Sequence, residues 1–265
     1  MTTTDSSDER RHGAEAAART GTGPAPTMRT SPLRIALIAL ASDHGIRGEL
    51  GLLLGRRADL HLARVPAPDH YDLASLAATT HGIKRAIKWM GLGSSADVAA
   101  FGCTSATVVV GEDAVRRSLE AALPGVPSTT PITAALAALA HLGARRVALL
   151  TPYPEPVHRS VADYLDSHGL EVVDQTGLGM AVDRAITEYP TEGLRARILG
   201  LDRSRADAIF VSCTSLRIAH AIGEIESAGG LPLVTSNQAL AWHCLRLAGR
   251  AANRAGFGRL LAPKR

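Results

Sequence analysis

The sequence predicts a protein of the α/β class that contains two copies of one unit. Two short stretches, FGCTS at 101–105 and VSCTS at 211–215, are nearly the same. Each follows an apolar run of strand length, and each precedes a segment that can start a helix. Strands that alternate with helices form parallel sheets, whose carboxyl edges gather the polar residues that follow the strands. We therefore expect both Cys-Thr-Ser triplets at such an edge.

The repeat extends beyond the two triplets. Three landmarks recur at nearly constant offsets of 112, 110 and 105 residues. They are RIALI at 34–38 with RVALL at 146–150, Cys103 with Cys213, and Gly-Val-Pro at 125–127 with Gly-Leu-Pro at 230–232. Three matches in register indicate a duplicated α/β unit.

The repeat also sets the expected domain boundaries. Residues 1–30 are rich in Ser, Thr, Gly, Ala and charged residues and have no apolar periodicity, so we expect a disordered tail there. A first α/β lobe is expected at 31–143, a second at 144–250 and a C-terminal segment at 251–265.

The first lobe begins with IALIAL at 35–40, a continuous apolar run that is typical of a strand buried on both faces. Gly143 should end the last helix of this lobe, because glycine adopts the backbone conformation that closes helices. The expected order is strand 35–40, helix 46–54, strand 60–65, helix 71–90, strand 97–101, helix 111–123 and helix 131–142.

The second lobe opens with the apolar run at 146–150 and repeats the alternation of strands and helices. The proline-rich loop at 151–156 follows its first strand. The expected order is strand 146–150, helix 157–168, strand 171–174, helix 193–201, strand 208–211, helix 216–229, strand 232–235 and helix 239–247.

Composition excludes several classes of function. The formal charge is only +4 and aromatic residues make up 3% of the chain, so we expect no nucleic-acid partner. No apolar run approaches the roughly 20 residues of a membrane span, so we expect no membrane partner. Three cysteines and an amino terminus without an apolar signal segment predict free thiols in a cytoplasmic protein. No Cys/His cluster has zinc spacing, so no metal site is expected.

The paired cysteines suggest proton or nucleophile chemistry. At a strand-to-helix turn, backbone N–H groups and the positive end of the helix favour a thiolate and attract an anion. If the two copies face each other, Cys103 and Cys213 approach a bound molecule from opposite sides, which suits proton transfer or thiolate addition. The neighbouring donors that would bind a carboxylate are Thr104, Ser105, Thr214 and Ser215. No P-loop and no G-x-G-x-x-G follows a strand, so we expect no cofactor.

Other residues at the ends of strands are candidates for binding a substrate. Ser42 and Asp43 follow the first strand, where Asp43 could equally cap a helix. Tyr153 either packs in its loop or turns its hydroxyl to the ligand, and Thr130 and Asn237 follow later strands with both readings open.

Three further residues are expected to have no part in the site. We expect Cys244 to be a buried core residue, because a lone cysteine in a helix behaves as a small hydrophobe. We expect Glu155 and Asp183 to be solvated charges.

Five stretches along the chain carry a resemblance to a known family. They are CTS at 103–105, TPITAA at 130–135, LTPY at 150–153, SCTS at 212–215 and GFGRL at 256–260. With these motifs the chain, from about 34 to 261, resembles the aspartate/glutamate racemase superfamily. Within it, the chain is similar to the branch that holds maleate cis-trans isomerase, arylmalonate decarboxylase and the ectoine-utilisation protein A.

The resemblance implies two pseudo-symmetric flavodoxin-like lobes, each with a parallel four-stranded sheet flanked by helices, and an active site in the cleft between them. It also implies that no cofactor is used. On the family pattern Cys103 is the nucleophile or first proton-transfer thiol, Cys213 is the opposing acid or base, and Tyr153 orients the substrate. Both cysteines are present, as in the isomerases and racemases, whereas the decarboxylases keep only the second.

The loop ASDHG at 41–45 departs from the maleate isomerases and is closer to the ectoine-utilisation members. An acidic Asp43 in the cleft would disfavour a dicarboxylate and could bind an amino group. We expect a racemase or isomerase of a small carboxylate or amino-carboxylate, with a malonate-type decarboxylase that uses Cys213 alone and a non-catalytic carboxylate-binding protein as alternatives. We also expect a homo-oligomer. The alanine-rich helix at 134–140 would permit close packing between subunits, although core packing explains it equally well.

Overall fold

The computed structural model describes residues 31–92 and 95–263. The tail expected at 1–30 lies outside the described residues. Two four-stranded sheets form the centre of the molecule, with strand orders β2-β1-β3-β4 and β6-β5-β7-β8. The strands are β1 (Leu33–Leu40), β2 (Ala58–Val65), β3 (Val98–Gly102), β4 (Ser128–Thr129), β5 (Arg146–Thr151), β6 (Glu171–Gly177), β7 (Ala208–Val211) and β8 (Leu233–Thr235).

Every strand pair in both sheets is parallel. The central strands β1, β3, β5 and β7 are apolar and almost fully buried, as expected for strands covered by helices on both faces. The identical strand orders confirm two pseudo-symmetric α/β lobes, each with a parallel four-stranded sheet. We call the elements β1–β4 the first sheet and β5–β8 the second sheet.

Helices flank both sheets. Thr130 caps the helix that follows β4, because its hydroxyl accepts the Thr133 N–H, and Gly143 just beyond its end has a φ of 74°. The helices are α1 (Ile46–Leu54), α2 (Leu73–Ala77), α3 (Ile83–Met90), α4 (Thr104–Val110), α5 (Glu112–Ala122), α6 (Pro131–His141), α7 (Glu155–Ser167), α8 (Asp183–Thr187), α9 (Thr191–Leu199), α10 (Ile222–Gly229) and α11 (Ser236–Leu247).

The single helix predicted at 71–90 is wrong, since the structure divides it. Asp72 and Ser75 form a capping box that starts α2, and a tighter 3₁₀ turn at Ala78–Gly82 separates α2 from α3. Within that turn the Thr79 hydroxyl donates to the Leu76 carbonyl, a local bond that competes with a continuous helix.

The helix predicted at 216–229 is also wrong over residues 216–221, because α10 begins only at Ile222, after a 3₁₀ turn at Ala219–Ala221. The backbone N–H groups of Ile218 and Ala219 donate to the carboxylate of Glu49, a residue of α1. These N–H groups are therefore used by a side chain that is distant in sequence and not by a helix. The expected order placed no element at 104–110, although the segment after the first triplet was expected to be able to start a helix, and α4 does begin at Thr104. Its sequence TSATVVV contains five β-branched residues, which favour strands.

The last helix, α11, follows the second sheet but packs against helices of the first lobe. α11 packs against α6 and α1, with the Trp242 ring 5.2 Å from that of His141. At the same contact, Thr129 Oγ1 lies 2.8 Å from His243 Nδ1. The lobe boundaries at 143/144 and 250/251 stay a prediction.

The alanines of α6 are used within the chain. Ala134, Ala135 and Ala138 are fully buried in its core. Core packing therefore accounts for the composition of this helix, and the expected homo-oligomer stays a prediction. Among the helices of the described ranges, none is long and apolar enough to cross a membrane.

Candidate active site

The two Cys-Thr-Ser triplets come together where β3 and β7 end. Both cysteines are 5% exposed, and all six triplet residues are buried. The Thr104 hydroxyl, at the start of α4, lies 2.9 Å from the hydroxyl of Ser236. Ser236 Oγ in turn accepts the backbone N–H of Cys213 at 3.0 Å. Ser236 thus connects the first turn to the second, and it is a site residue that the sequence analysis missed.

Cys103 lies at the N-cap of α4 with an ordinary extended backbone, φ −144° and ψ 116°. Its sulfur is 3.8 Å from the Ser105 hydroxyl, and the backbone N–H of Ala106 points at it. The Thr107 hydroxyl donates to the Cys103 carbonyl at 2.7 Å. The first turn is therefore fixed by residues of its own helix.

Cys213 has a φ of 147°, the only positive value among the non-glycine residues of the described ranges. Such a backbone costs a residue with a Cβ about 1–3 kcal/mol, and strain of this kind concentrates at functional sites. The Ser215 N–H donates to the Cys213 sulfur at 3.4 Å. A bend follows this cysteine where a helix follows Cys103.

Two tyrosines lie against the thiols. The buried Tyr153 hydroxyl contacts both the Cys213 thiol and the Ser105 hydroxyl, so one group reaches both turns. Tyr71 packs edge-on against Tyr153 with ring centroids 6.1 Å apart, and its hydroxyl interacts with the Asp183 carboxylate. Burial, followed by the charge of Asp183, raises the pKa of Tyr71. Tyr71 was not a sequence candidate, because nothing in its local pattern separates it from a core aromatic.

Asp43 is engaged inside the protein. One carboxylate oxygen accepts the N–H groups of Gly45 and Ile46, both at 2.9 Å, and caps the start of α1. The other accepts the Thr214 hydroxyl at 2.7 Å and so connects the loop after β1 to the second cysteine turn. Burial raises the pKa of Asp43 to about 6. A substrate-binding role for Asp43 stays a prediction, and in this structure three protein donors occupy its carboxylate.

The expectation that Asp183 is a solvated charge is wrong. Asp183 is 5% exposed, and its Oδ2 accepts the Ser42 hydroxyl at 2.5 Å. Its Oδ1 has no hydrogen-bond partner among the described residues. No local pattern shows this contact, because the hydrogen-bond partner of Asp183 lies 141 positions away in sequence. The substrate-binding role of Ser42 stays a prediction, and its bond to Asp183 was not foreseen.

Asn237, near the start of α11, is also buried at the site. Its amide donates to the Thr214 carbonyl at 2.8 Å, and its Oδ1 has no partner in the described part of the chain. Thr130 has a different contact, because its hydroxyl bonds to Thr133 and caps the start of α6. The proposed role of Thr130 with substrate stays a prediction.

The expected low pKa of the thiols is wrong for this structure. Burial raises the pKa of the Cys103 thiol to about 12, against the opposing effect of the Ala106 N–H and the Ser105 hydroxyl. Burial and the charge of Asp183 likewise raise the pKa of Cys213, although the Tyr153 hydroxyl acts in the other direction. Desolvation therefore outweighs the N–H groups at both turns. A raised pKa makes each thiolate a stronger base and nucleophile while lowering its population at neutral pH.

Two other expectations about side chains are confirmed. Cys244 is buried within α11, and all three cysteines are free. Glu155 is exposed and pairs with Arg159 at 2.6 Å. Within residues 31–92 and 95–263, no group of three or more His, Cys, Asp or Glu side chains could hold a metal ion.

A cavity of about 550 Å³ borders this buried centre. Ser42 and Asp183 lie on its wall, together with the charged side chains of Asp69, Arg184 and Glu188. The charge of Asp183 acts on both thiols and so connects this wall of the cavity to the cysteine turns.

The fold and the paired thiols define a member of the aspartate/glutamate racemase-like proteins. Residues 93–261 match the family model described as arylmalonate decarboxylase. The chain belongs to this family, and its resemblance to the branch of arylmalonate decarboxylases and maleate isomerases is confirmed. The likeness to the ectoine-utilisation protein stays a prediction.

Curated relatives include both decarboxylases and isomerases. The chain is 38% identical to arylmalonate decarboxylase from Bordetella bronchiseptica over 142 residues, which is 51% of this chain and 58% of the relative. It is 32% identical to maleate isomerase from Nocardia farcinica over 121 residues, which is 45% of this chain and 48% of the relative. The aligned parts thus span about half of these relatives.

Solved structures match over almost their whole length. A Nocardia farcinica maleate cis-trans isomerase mutant with a covalently bound succinylcysteine intermediate has a TM-score of 0.81 and 25% identity, covering 88% of this chain and 99% of that one. An arylmalonate decarboxylase structure has a TM-score of 0.71 and 28% identity, covering 86% and 98%.

Proposed function

We propose that this protein is a cofactor-independent racemase or isomerase of a small carboxylate or amino-carboxylate that works with two cysteines. The observation that carries the proposal is the pair of buried thiols in equivalent turns, with the Tyr153 hydroxyl in contact with Cys213 and with Ser105 beside Cys103. A single structural cysteine would not need an equivalent partner or a shared hydroxyl. Free thiols also fit the proposed cytoplasmic setting.

The two thiols can exchange a proton through the substrate. In a racemisation, one thiolate removes the proton of the carbon next to the carboxylate, and the opposite thiol returns a proton to the other face. In a cis-trans isomerisation, the Cys103 thiolate adds to one carbon of the double bond while Cys213 protonates the other. Rotation about the resulting single bond follows, Cys213 takes the proton back and the carbon–sulfur bond breaks. The isomerisation leaves the protein unchanged. The racemisation leaves the first cysteine as a thiol and the second as a thiolate, so a proton must pass back through solvent before the next turnover in the same direction.

The carboxylate of the substrate needs hydrogen-bond donors where negative charge develops. The hydroxyls of Ser105 and Tyr153 lie at the thiols and can supply them. The strained Cys213 and the buried Asn237 indicate that the second turn is built for a site, since both features cost stability in an empty protein.

A malonate-type decarboxylase is the second candidate, favoured by the match to the arylmalonate decarboxylase family model. There the bond between the α-carbon and one carboxylate breaks, carbon dioxide leaves, and the carbanion takes a proton from Cys213. This reaction has no use for Cys103. The presence of both thiols therefore favours the first candidate.

Proton NMR in deuterium oxide separates the two candidates. The test substrates are maleate, aspartate, glutamate, 2,4-diaminobutyrate, its N-acetyl forms and phenylmalonate. The diaminobutyrates test the finer resemblance to the ectoine-utilisation protein. We expect deuterium at an α-carbon or conversion of a cis double bond, and a loss of at least about 10³-fold in both Cys103→Ala and Cys213→Ala.

Cys244→Ala is the matched control, because it removes a buried thiol outside the site and should keep full activity. Full activity in Cys103→Ala together with carbon dioxide release from phenylmalonate would replace the first candidate by the second. If no substrate is turned over, neither reaction takes place on these acids and a binding role is left.

A further inference from the structure

The side chain of Asp183 has an acceptor without a hydrogen-bond partner beside the cavity. Asp183 is 95% buried, and its Oδ1 has no hydrogen-bond partner among the described residues, although the Tyr71 hydroxyl interacts with the same carboxylate. Burying a carboxylate oxygen without a donor is costly, and natural proteins rarely leave one without a water, an ion or a ligand as its partner. The other oxygen, Oδ2, is held by Ser42 at 2.5 Å, so the carboxylate is fixed in orientation.

A second unused acceptor lies one helical turn away. The Thr187 hydroxyl is buried and has no partner in the described part of the chain. Asp183 and Thr187 are the first and last residues of α8, and residues four apart lie on one face of a helix. Both residues are part of the wall of the 550 Å³ cavity. Two acceptors on one wall suit a group that donates several hydrogen bonds.

The charges around the cavity select the sign of that group. The wall carries three carboxylates, from Asp69, Asp183 and Glu188, and one guanidinium, from Arg184. Arg184 is already paired with Glu188 at 2.8 Å. The remaining excess of negative charge attracts a cation.

We propose that Asp183 and Thr187 bind an ammonium group of the substrate, so that the protein acts on amino-carboxylates in preference to carboxylates that lack an amino group. This inference rests on the proposed function and names its substrate class. The role that the sequence assigned to Asp43 passes to Asp183, since the carboxylate of Asp43 is occupied by Gly45, Ile46 and Thr214. Asp183 also acts on both thiols through its charge, so an ammonium bound there offsets a charge that opposes thiolate formation.

Isothermal titration calorimetry on the full chain tests the assignment. A Cys103→Ala/Cys213→Ala background prevents turnover, so that binding is measured alone. The probes are 2,4-diaminobutyrate, aspartate and glutamate, with maleate as the dicarboxylate that lacks an amino group. We expect at least one amino-carboxylate to bind at least tenfold more tightly than maleate.

Substitutions then locate the ammonium site. Asp183→Asn keeps the shape of the side chain and should weaken that amino-carboxylate at least tenfold without weakening maleate. Asp183→Glu keeps the charge and should recover part of the loss, and Thr187→Val should cost about threefold. Glu188→Gln is the control, since it removes a charge of the same cavity from an exposed ion pair, and it should change the affinity less than twofold.

Three outcomes overturn the assignment. They are unchanged binding of the amino-carboxylate to a folded Asp183→Asn protein, tighter binding of maleate than of all three amino acids, and no binding of any amino acid. Thermal denaturation establishes that each variant is folded. The result is independent of the proposed reaction, because the same protein with both cysteines intact can fail to turn over a ligand that it binds through Asp183.

Discussion

The two Cys-Thr-Ser turns share their side chains and differ in their backbones. Cys103 is extended and begins a helix, and its turn is fixed by Ser105, Ala106 and Thr107 of that helix. Cys213 has a φ of 147° and precedes a bend. The second turn is held by residues distant in sequence, above all Asp43, Ser236 and Glu49. Both turns share contacts with distant residues such as Ser236, but the first also has the bonds of its own helix, whereas the second depends mainly on distant partners.

This difference fits the roles proposed for the two thiols in the isomerisation, with Cys103 as the nucleophile and Cys213 as the acid and base. A locally fixed thiol suits a nucleophile that must keep its position while a bond forms. A thiol on a strained turn, in contact with Tyr153, has a position and a pKa that depend on its neighbours, which suits a group that gives and takes protons.

The pH profile of thiol alkylation should show the largest effect. Because burial raises the pKa of both thiols, iodoacetamide should modify them at pH 7 about a thousandfold more slowly than free cysteine. The rate should rise about tenfold per pH unit between pH 7 and 9, since the reactive thiolate is the minor form throughout. Mass spectrometry of peptides from each turn measures both rates. A plateau below pH 8 at either cysteine would contradict the raised pKa there.

Tyr153→Phe should separate the two turns. The Tyr153 hydroxyl lowers the pKa of Cys213 against the effect of burial, so its removal should slow alkylation of Cys213 about tenfold. Cys103 should change less than threefold, because its own hydroxyl partner is Ser105. Equal slowing at both cysteines would mean that Tyr153 acts by opening or closing the site and not by its bond to Cys213.

Glu49→Ala should destabilise the bend after Cys213. Its carboxylate accepts the N–H groups of Ile218 and Ala219, at 3.1 and 2.8 Å, and truncation leaves two buried donors unpaired. We expect a loss of about 1–3 kcal/mol in the free energy of unfolding, measured by urea denaturation at pH 6. Glu49→Gln is the matched control, because it keeps an acceptor oxygen, and it should lose less.

The stability of Glu49→Gln relative to the unchanged protein should depend on pH. Burial raises the pKa of Glu49 to about 7 from the ordinary 4.5, so the folded protein holds this proton more tightly than the unfolded chain. Stability is therefore highest below pH 4.5 on account of this group, and it falls as pH rises through 7. Glu49→Gln cannot titrate, so its stability relative to the unchanged protein should improve over that range. A constant difference from pH 5 to 8 would contradict the raised pKa.

The smallest expected effect is a test of backbone strain. Cys213→Gly should be about 1 kcal/mol more stable than Cys213→Ala, because glycine has no Cβ to oppose a φ of 147°. At Cys103, whose φ is −144°, the order should reverse, because glycine there only adds conformational freedom to the unfolded chain. Thermal denaturation of the four variants measures both differences. Equal differences at the two positions would show that the second turn relaxes once its thiol is removed.

Much of the fold could be predicted because it is written in local patterns. The apolar runs at β1 and β5, the Gly143 stop and the polar turns after strands all depend on neighbours in sequence. The duplicated triplet also predicted both thiols. The helix predicted directly after Cys213 failed because Glu49 takes its N–H groups, and no local pattern records a partner 169 positions away.

The site was predicted only in part for the same reason. Cys103, Cys213 and Tyr153 stand in repeated or strand-end positions, which the sequence shows. Asp183 is hydrogen-bonded to Ser42, and Ser236 lies within hydrogen-bond distance of Thr104. Both contacts join residues that are far apart in sequence. Ser236 follows β8 directly, and a comparison of the ends of β4 and β8 would have made it a candidate. Asp183 had no such signal.

The crossing of α11 has a consequence for how the chain is made. The helix that packs on α1 and α6 is translated about a hundred residues after α6, so a nascent chain that ends before Ser236 leaves that apolar surface uncovered. The amino-terminal half therefore cannot finish folding before the rest of the chain has been synthesised. Contacts between distant parts of a chain slow folding and prolong the exposure of apolar surface. We expect chains released early by the ribosome to need a chaperone, whereas complete chains bury this surface themselves.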